Sequence, residues 1–169
     1  MLRAAGIVAL LVLLIACGQT TAKVPLPSPV SQGTWNQDLT FQGEVSGHMS
    51  GIVPDTTVQQ SQCTGAKARG GQAYADGFFG SLDGGGDVWQ VIFLVGNYRG
   101  PGTYTQVDAT SVQVQSTSDT TKVWQNVPSN PVKFIVNAGQ RSGTVNATLT
   151  NAATGKVGVT LAGNWNCRG

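Results

Sequence analysis

The chain holds one histidine, His48, and one glutamate, Glu44, and charged residues make up only 11% of its 169 positions, where about 25% is usual. A zinc site assembled from several imidazoles is therefore excluded within one copy. The ten Lys and Arg residues are scattered, and the formal net charge is +2. No basic patch exists to follow a phosphate backbone, so nucleic acid is excluded as an expected partner. No G-x-S-x-G elbow occurs, which removes one common serine-hydrolase framework. The longest apolar run, residues 4–16, has thirteen residues, against the roughly 20 that a helix needs to cross a bilayer. Beyond position 17 no stretch of ten or more residues carries a helical period, so a helical bundle is excluded as well.

What is present is glycine, 23 residues of it, together with Ser, Thr, Asn and Gln in place of charge. That composition suits strands and turns. In "LTFQGEVSGHMSGIV" the odd positions Leu39, Phe41, Val45, Met49 and Val53 alternate with polar residues, which predicts one long strand ended by Pro54. The glycines at 43, 47 and 51 thin its inner face and predict a bend or bulge along it. Further strands are expected near 72–82, 87–98, 103–107, 110–116, 122–127, 132–137, 143–150 and 156–167. "VWQVIFLV" reads as a central strand buried on both faces. "DGGGD" (83–87) reads as a hairpin turn. Val145, Ala147 and Leu149, then "NAATG", then Val157, Val159, Leu161, Trp165 and Cys167 predict a hairpin with Cys167 pointing inward. The expected fold is all-β, an antiparallel β-sandwich or a partly closed β-barrel of about 8–10 strands.

The apolar run follows Arg3 and ends Leu14-Ile15-Ala16-Cys17 before an abrupt change to polar residues. The run has the length of a signal-peptide core, and its last four residues resemble a bacterial lipobox. That resemblance implies cleavage before Cys17, lipid on the Cys17 thiol and a bacterial extracytoplasmic protein anchored to the cell membrane. Gly18 is not the aspartate that retains enteric lipoproteins in the inner membrane, so the outer membrane is a possible address in a host that has one. The expected organisation is a leader at 1–16, a Pro-containing tether at 17–37 and a single β domain at 38–169. The order of lipobox, tether, "QCTGAKARGG" and "SGTVNATLTNAATGKVGVTLAGNWNC" is similar in architecture to the mycobacterial 19-kDa lipoprotein antigens. The likeness implies a surface-exposed lipoprotein and carries over no catalytic residue.

With Cys17 committed to lipid, Cys63 and Cys167 remain as an even pair in an oxidising compartment, and one disulfide between them is expected. No cofactor or metal is expected. Asp83 and Asp87 flank three glycines, and a turn accounts for them better than a calcium loop does. His48 falls on the polar face of the predicted strand, where Glu44 would lie roughly 13 Å away and Ser46 and Ser50 about 7 Å away. None of these is in reach for nucleophilic catalysis.

"NYRGPGTY" sets Tyr98 and Tyr104 on either side of a loop carrying Arg99, and with Trp35 and Trp124 these are the candidate ligand-binding residues. An exposed aromatic platform of this kind stacks on sugars, but the favoured reading of the two tyrosines is that they end strands and pack over the end of the sandwich. The first expected function is a non-enzymatic binding or interaction module, held at the membrane through Cys17 and meeting a glycan, an envelope protein or a host protein. The alternatives are an envelope hydrolase using two carboxylates drawn from Glu44, Asp76, Asp83 and Asp87, which requires a pair roughly 5 to 9 Å apart, and a purely structural lipoprotein.

Overall fold

A computed structural model describes residues 34–35, 37–51, 62–67 and 73–168, with the backbone alone described at 34–35, 62–67 and 168. Cys17, the leader and the side chains of Trp35 and Cys63 lie outside the described residues. Twelve strands follow one another: β1 (Thr34–Trp35), β2 (Asp38–Gly43), β3 (Gly47–Ser50), β4 (Gln62–Lys67), β5 (Tyr74–Ser81), β6 (Val88–Val95), β7 (Gly102–Tyr104), β8 (Thr110–Ser116), β9 (Val123–Gln125), β10 (Val132–Val136), β11 (Ser142–Asn151) and β12 (Val157–Arg168). A single 3-10 turn, Gln106–Asp108, separates β7 from β8. No α-helix occurs among the described residues.

All pairings are antiparallel, and the sheet runs β3-β2-β12-β11-β9-β8-β6-β5-β4. β11 is the corner. Along one edge it pairs with β12 for its whole length; along the other its first half pairs with β10 and its last two residues with β9. β10 in turn carries β7. The sheet curls on itself into a nearly closed barrel. At the seam, β3 comes against β5. A Cβ on Gly80 would lie 2.6 Å from Met49 Sδ, so the absent side chain there is what admits the methionine.

The inner face follows the expected alternation: Leu39 and Phe41, Val91, Phe93 and Val95, Val112 and Val114, Phe134, Val145, Ala147 and Leu149, and Leu161 and Trp165 are all buried. Phe134 and Trp165 stack with centroids 5.4 Å apart and planes 2° from parallel, with Phe93 5.0 Å from Phe134. Cys167 is inward and 3% exposed.

Four expectations are corrected. The long strand from 39 to 53 is instead a hairpin, with Leu39 paired to Met49 and Phe41 to Gly47. Gly43 and Gly47 take φ of 115° and 137°, conformations that other residues rarely adopt, and these turn the chain at Glu44–Ser46. β6 is central, but only one of its faces is buried. Leu94 on the outer face is 40% exposed. Val157 points outward, because the pairing of β11 with β12 slips between Leu149 and Thr150: Leu149 faces Val159 while Thr150 faces Val157. Gly158 is the extra residue of that bulge, and inward parity begins only after it. Finally, Thr34 and Trp35 pair with Arg168 and Cys167, so the sheet starts inside the segment expected to be tether.

Candidate functional site

Two hairpin turns meet at one end of the barrel. Between β5 and β6 the chain turns through Asp83 and Gly84, both at positive φ, as "DGGGD" predicts. Asp83 locks this turn to the other hairpin: its N–H donates to the His48 carbonyl at 2.8 Å, and its Oδ1 accepts the His48 N–H at 3.0 Å. This accounts for Asp83 without a metal, and no group of three or more His, Cys, Asp or Glu side chains placed to hold a metal occurs among the described residues.

Between the turns lies a cleft of about 320 Å³ lined by Glu44, Val45, Ser46, Leu82, Gly85, Gly86, Asp87 and Trp89. Trp89 is the first inward residue of β6. It packs on the core and lies 5.9 Å from the Trp124 ring, so the end of the apolar interior forms one wall of the cleft. Barrel mouths of this kind are common ligand sites.

Glu44 is tied into the cleft by hydrogen bonds. Its Oε2 accepts the indole N–H of Trp124 at 2.8 Å and the side-chain amide of Asn151 at 2.9 Å, and its backbone N–H donates to the Gly158 carbonyl at 2.7 Å. Both side-chain donors favour the ionised carboxylate, Asn151 more than Trp124, and hold the Glu44 carboxyl below its ordinary value of 4.5. The bulge glycine is part of the arrangement, because a Cβ on Gly158 would lie 2.6 Å from Oε2 and 2.8 Å from the Trp124 nitrogen.

A group whose acidity is raised by folding favours the folded state above its unfolded pKa, and that contribution fades as pH falls through the lower, folded value. Following the Glu44 side-chain carboxyl by NMR against pH should therefore give a midpoint below 4.5. Asn151→Ala and Gly158→Ala should each move it upward. An unmoved midpoint in both variants would show that the pair of donors does not set it.

The sequence-predicted residues are distributed differently from expectation. Tyr98, Tyr104 and Trp124 are 5%, 2% and 4% exposed, so they form no open stacking platform. Tyr74, Tyr98 and Tyr104 instead form a chain of rings 5.0 and 5.4 Å apart that closes the opposite end of the barrel. The Tyr98 hydroxyl donates to Gln140 Oε1 at 2.8 Å, and that of Tyr104 to the Gly100 carbonyl. Burial pushes the Tyr74 and Tyr98 hydroxyls above their ordinary pKa, with the Asp76 carboxylate adding to the shift at Tyr74. Arg99 stays exposed, paired with Asp108 at 2.8 Å and lying over the Tyr104 ring.

His48 is exposed, and its Nε2 contacts Asp38 Oδ1 at 2.6 Å. It belongs to the outer face of the hairpin and does not line the cleft. Ser46 lines the cleft, and no histidine is among the lining residues described. Of the four carboxylates considered for hydrolysis, Asp76 is buried and takes the Tyr74 hydroxyl at 2.6 Å, Asp83 is held in its turn, and only Glu44 and Asp87 share the cleft. A carboxyl kept ionised by two N–H donors is a poor general acid at neutral pH.

Trp89 and Asn151 are not legible as site residues in the sequence, since one sits in an apolar strand and the other in a turn signal. The chain matches no family model, no curated protein and no solved structure, so the reading of the cleft rests on its own geometry.

Proposed function

We propose that this chain is a lipid-anchored extracytoplasmic protein of a bacterial cell, fixed to the membrane through Cys17, and that its β-barrel is a binding module whose ligand enters the cleft between Glu44 and Trp89. The observation that carries the binding role is the Glu44 carboxylate, fixed at a barrel mouth by Trp124 and Asn151 beside a part-buried indole. The anchoring rests on the apolar run at 4–16 and on Leu14 to Cys17. Two or three acyl chains would make it stable, since each buried methylene contributes about 0.8 kcal/mol. A disulfide between Cys63 and Cys167 belongs to the same proposal: Cys167 is inward and buried, and β4, which carries Cys63, approaches β12.

The binding role is tested by thermal-shift titration of the whole chain, purified with detergent, against fragments of envelope glycans and small polar metabolites. A ligand at a hundred times its dissociation constant should add about 2.7 kcal/mol, and Trp89→Ala should abolish the response. A panel that leaves the melting midpoint unmoved, or a shift retained in Trp89→Ala, would remove the cleft as the site. For the anchor, Cys17→Ser should yield unprocessed precursor or a protein released from membranes. Unchanged processing and detergent partitioning would refute lipidation.

A further inference from the structure

We infer that the cleft is built for an organic cation: an ammonium or guanidinium group, carried on a small molecule, seated against the Trp89 indole and held by the carboxylates of Glu44 and Asp87. The inference rests on the binding role proposed above and names the chemistry of its ligand.

The charge in the cleft has no counterpart within the described chain. The ion pairs among the described residues are His48 with Asp38, Arg99 with Asp108 and Lys122 with Asp119. None involves Glu44 or Asp87, and no basic residue lines the cleft. Two carboxylates on one small concavity repel each other and any anion, and they raise the local concentration of cations.

The two oxygens of Glu44 are also used unequally. Oε2 takes both donors, from Trp124 and Asn151, which leaves Oε1 with no donor from the described chain. Glu44 is exposed, so this oxygen is open to a ligand, and an ammonium or guanidinium N–H would meet it with a charge-assisted hydrogen bond.

Indole is the best of the aromatic rings for attracting a cation over its face, and Trp89 is the only aromatic lining residue. A hydrated metal ion is the poorer fit. Among the described residues it would find two side-chain carboxylates and no third His, Cys, Asp or Glu, whereas calcium takes six to eight oxygens. The volume, about 320 Å³, is at the small end for ligand sites and suits one compact group.

The test compares three probes on the whole chain by isothermal titration calorimetry: D-glucosamine, its uncharged counterpart N-acetyl-D-glucosamine, and agmatine, which carries guanidinium and ammonium groups without a sugar. Glucosamine and agmatine should bind, with N-acetylglucosamine at least tenfold weaker. Glu44→Gln and Asp87→Asn should each weaken the two cations at least fivefold, with the melting midpoint of the free Asp87→Asn protein little changed. Since Asp87 lies in an exposed turn, its variant serves as the control for folding.

Equal binding of glucosamine and N-acetylglucosamine, lost in Trp89→Ala, would overturn the cation and keep the cleft as a neutral-sugar site. Binding of glucosamine without agmatine would also overturn it, since the sugar ring would then be what is recognised. Cation binding that survives all three substitutions would place it elsewhere and overturn both the ligand class and the site. No heat from any probe would overturn the cation inference while leaving the wider ligand panel to decide the binding role.

Discussion

Replacing Phe134 by alanine is expected to lower the melting midpoint by roughly 10 to 20 °C. Phe134 is fully buried on β10 and stacks on Trp165 at 5.4 Å, with Phe93 at 5.0 Å and Tyr74 at 6.2 Å. Removing a buried phenylalanine ring costs about 3–5 kcal/mol, because the lost transfer free energy is joined by the cavity left behind. The curled sheet cannot easily collapse into that space, since β10 is hydrogen-bonded on both edges, to β11 and to β7. For a domain of this size each kcal/mol moves the midpoint by roughly 3–5 °C.

The matched control is Leu94→Ala on β6. Leu94 is 40% exposed on the outer face, so its loss should stay within about 0.5 kcal/mol, the usual range for surface positions. Thermal unfolding of the two variants side by side decides the matter. Equal, large losses at both positions would mean that β6 is covered on both faces, as its apolar run suggests by itself, and that the one-sided barrel wall is wrong.

That contrast shows how far the sequence could be read. Alternation at Val145, Ala147 and Leu149 and at Val159, Leu161 and Trp165 correctly predicts the hairpin of β11 and β12, because a period of two has one meaning where both strands share a buried face. The turn at "DGGGD" is equally legible, since its Asp and Gly residues supply the positive φ that the turn uses.

The β2–β3 hairpin is not legible in the same way. Leu39 pairs with Met49 and Phe41 with Gly47, so odd residues face inward on both arms. A continuous strand and a hairpin of this register write the same alternation. Only the backbone conformations of Gly43 and Gly47 separate the two, and a glycine in a sequence does not state its φ. The bulge at Gly158 is hidden for the same reason, and with it the outward turn of Val157.

The candidate site was missed because it depends on that hairpin. As a strand residue, Glu44 lies on a wet face far from any partner; as a turn residue, it reaches Trp124 and Asn151, which are 80 and 107 positions further along the chain. Tyr98 and Tyr104 illustrate the opposite case, since local pattern marks them as strand-end aromatics and only the closure of the barrel decides that their rings are buried.

Loss of the proposed Cys63–Cys167 bridge is the second large effect expected. Such a link would close a loop of about 104 residues, for which chain entropy gives a stabilisation of roughly 4 to 5 kcal/mol. Cys167 sits where that constraint would act most widely. It pairs with Trp35 of β1, its N–H donates to the Arg141 carbonyl at 2.7 Å, and the Arg141 guanidinium lies 3.7 Å from its sulfur. Among the described residues, the backbone pairing of β4 is with β5.

Alkylation of the denatured, unreduced protein should leave both thiols unlabelled, and reduction should expose two more sites by intact mass. The energetic signature is non-additivity. Cys63→Ala, Cys167→Ala and the double variant should all fall by a similar amount, because each removes the same single link. Losses that sum across the two positions would mean that the cysteines act independently: Cys167 would then stabilise the barrel only by packing beside Trp165, and the seam near β4 would be held by side-chain contacts alone.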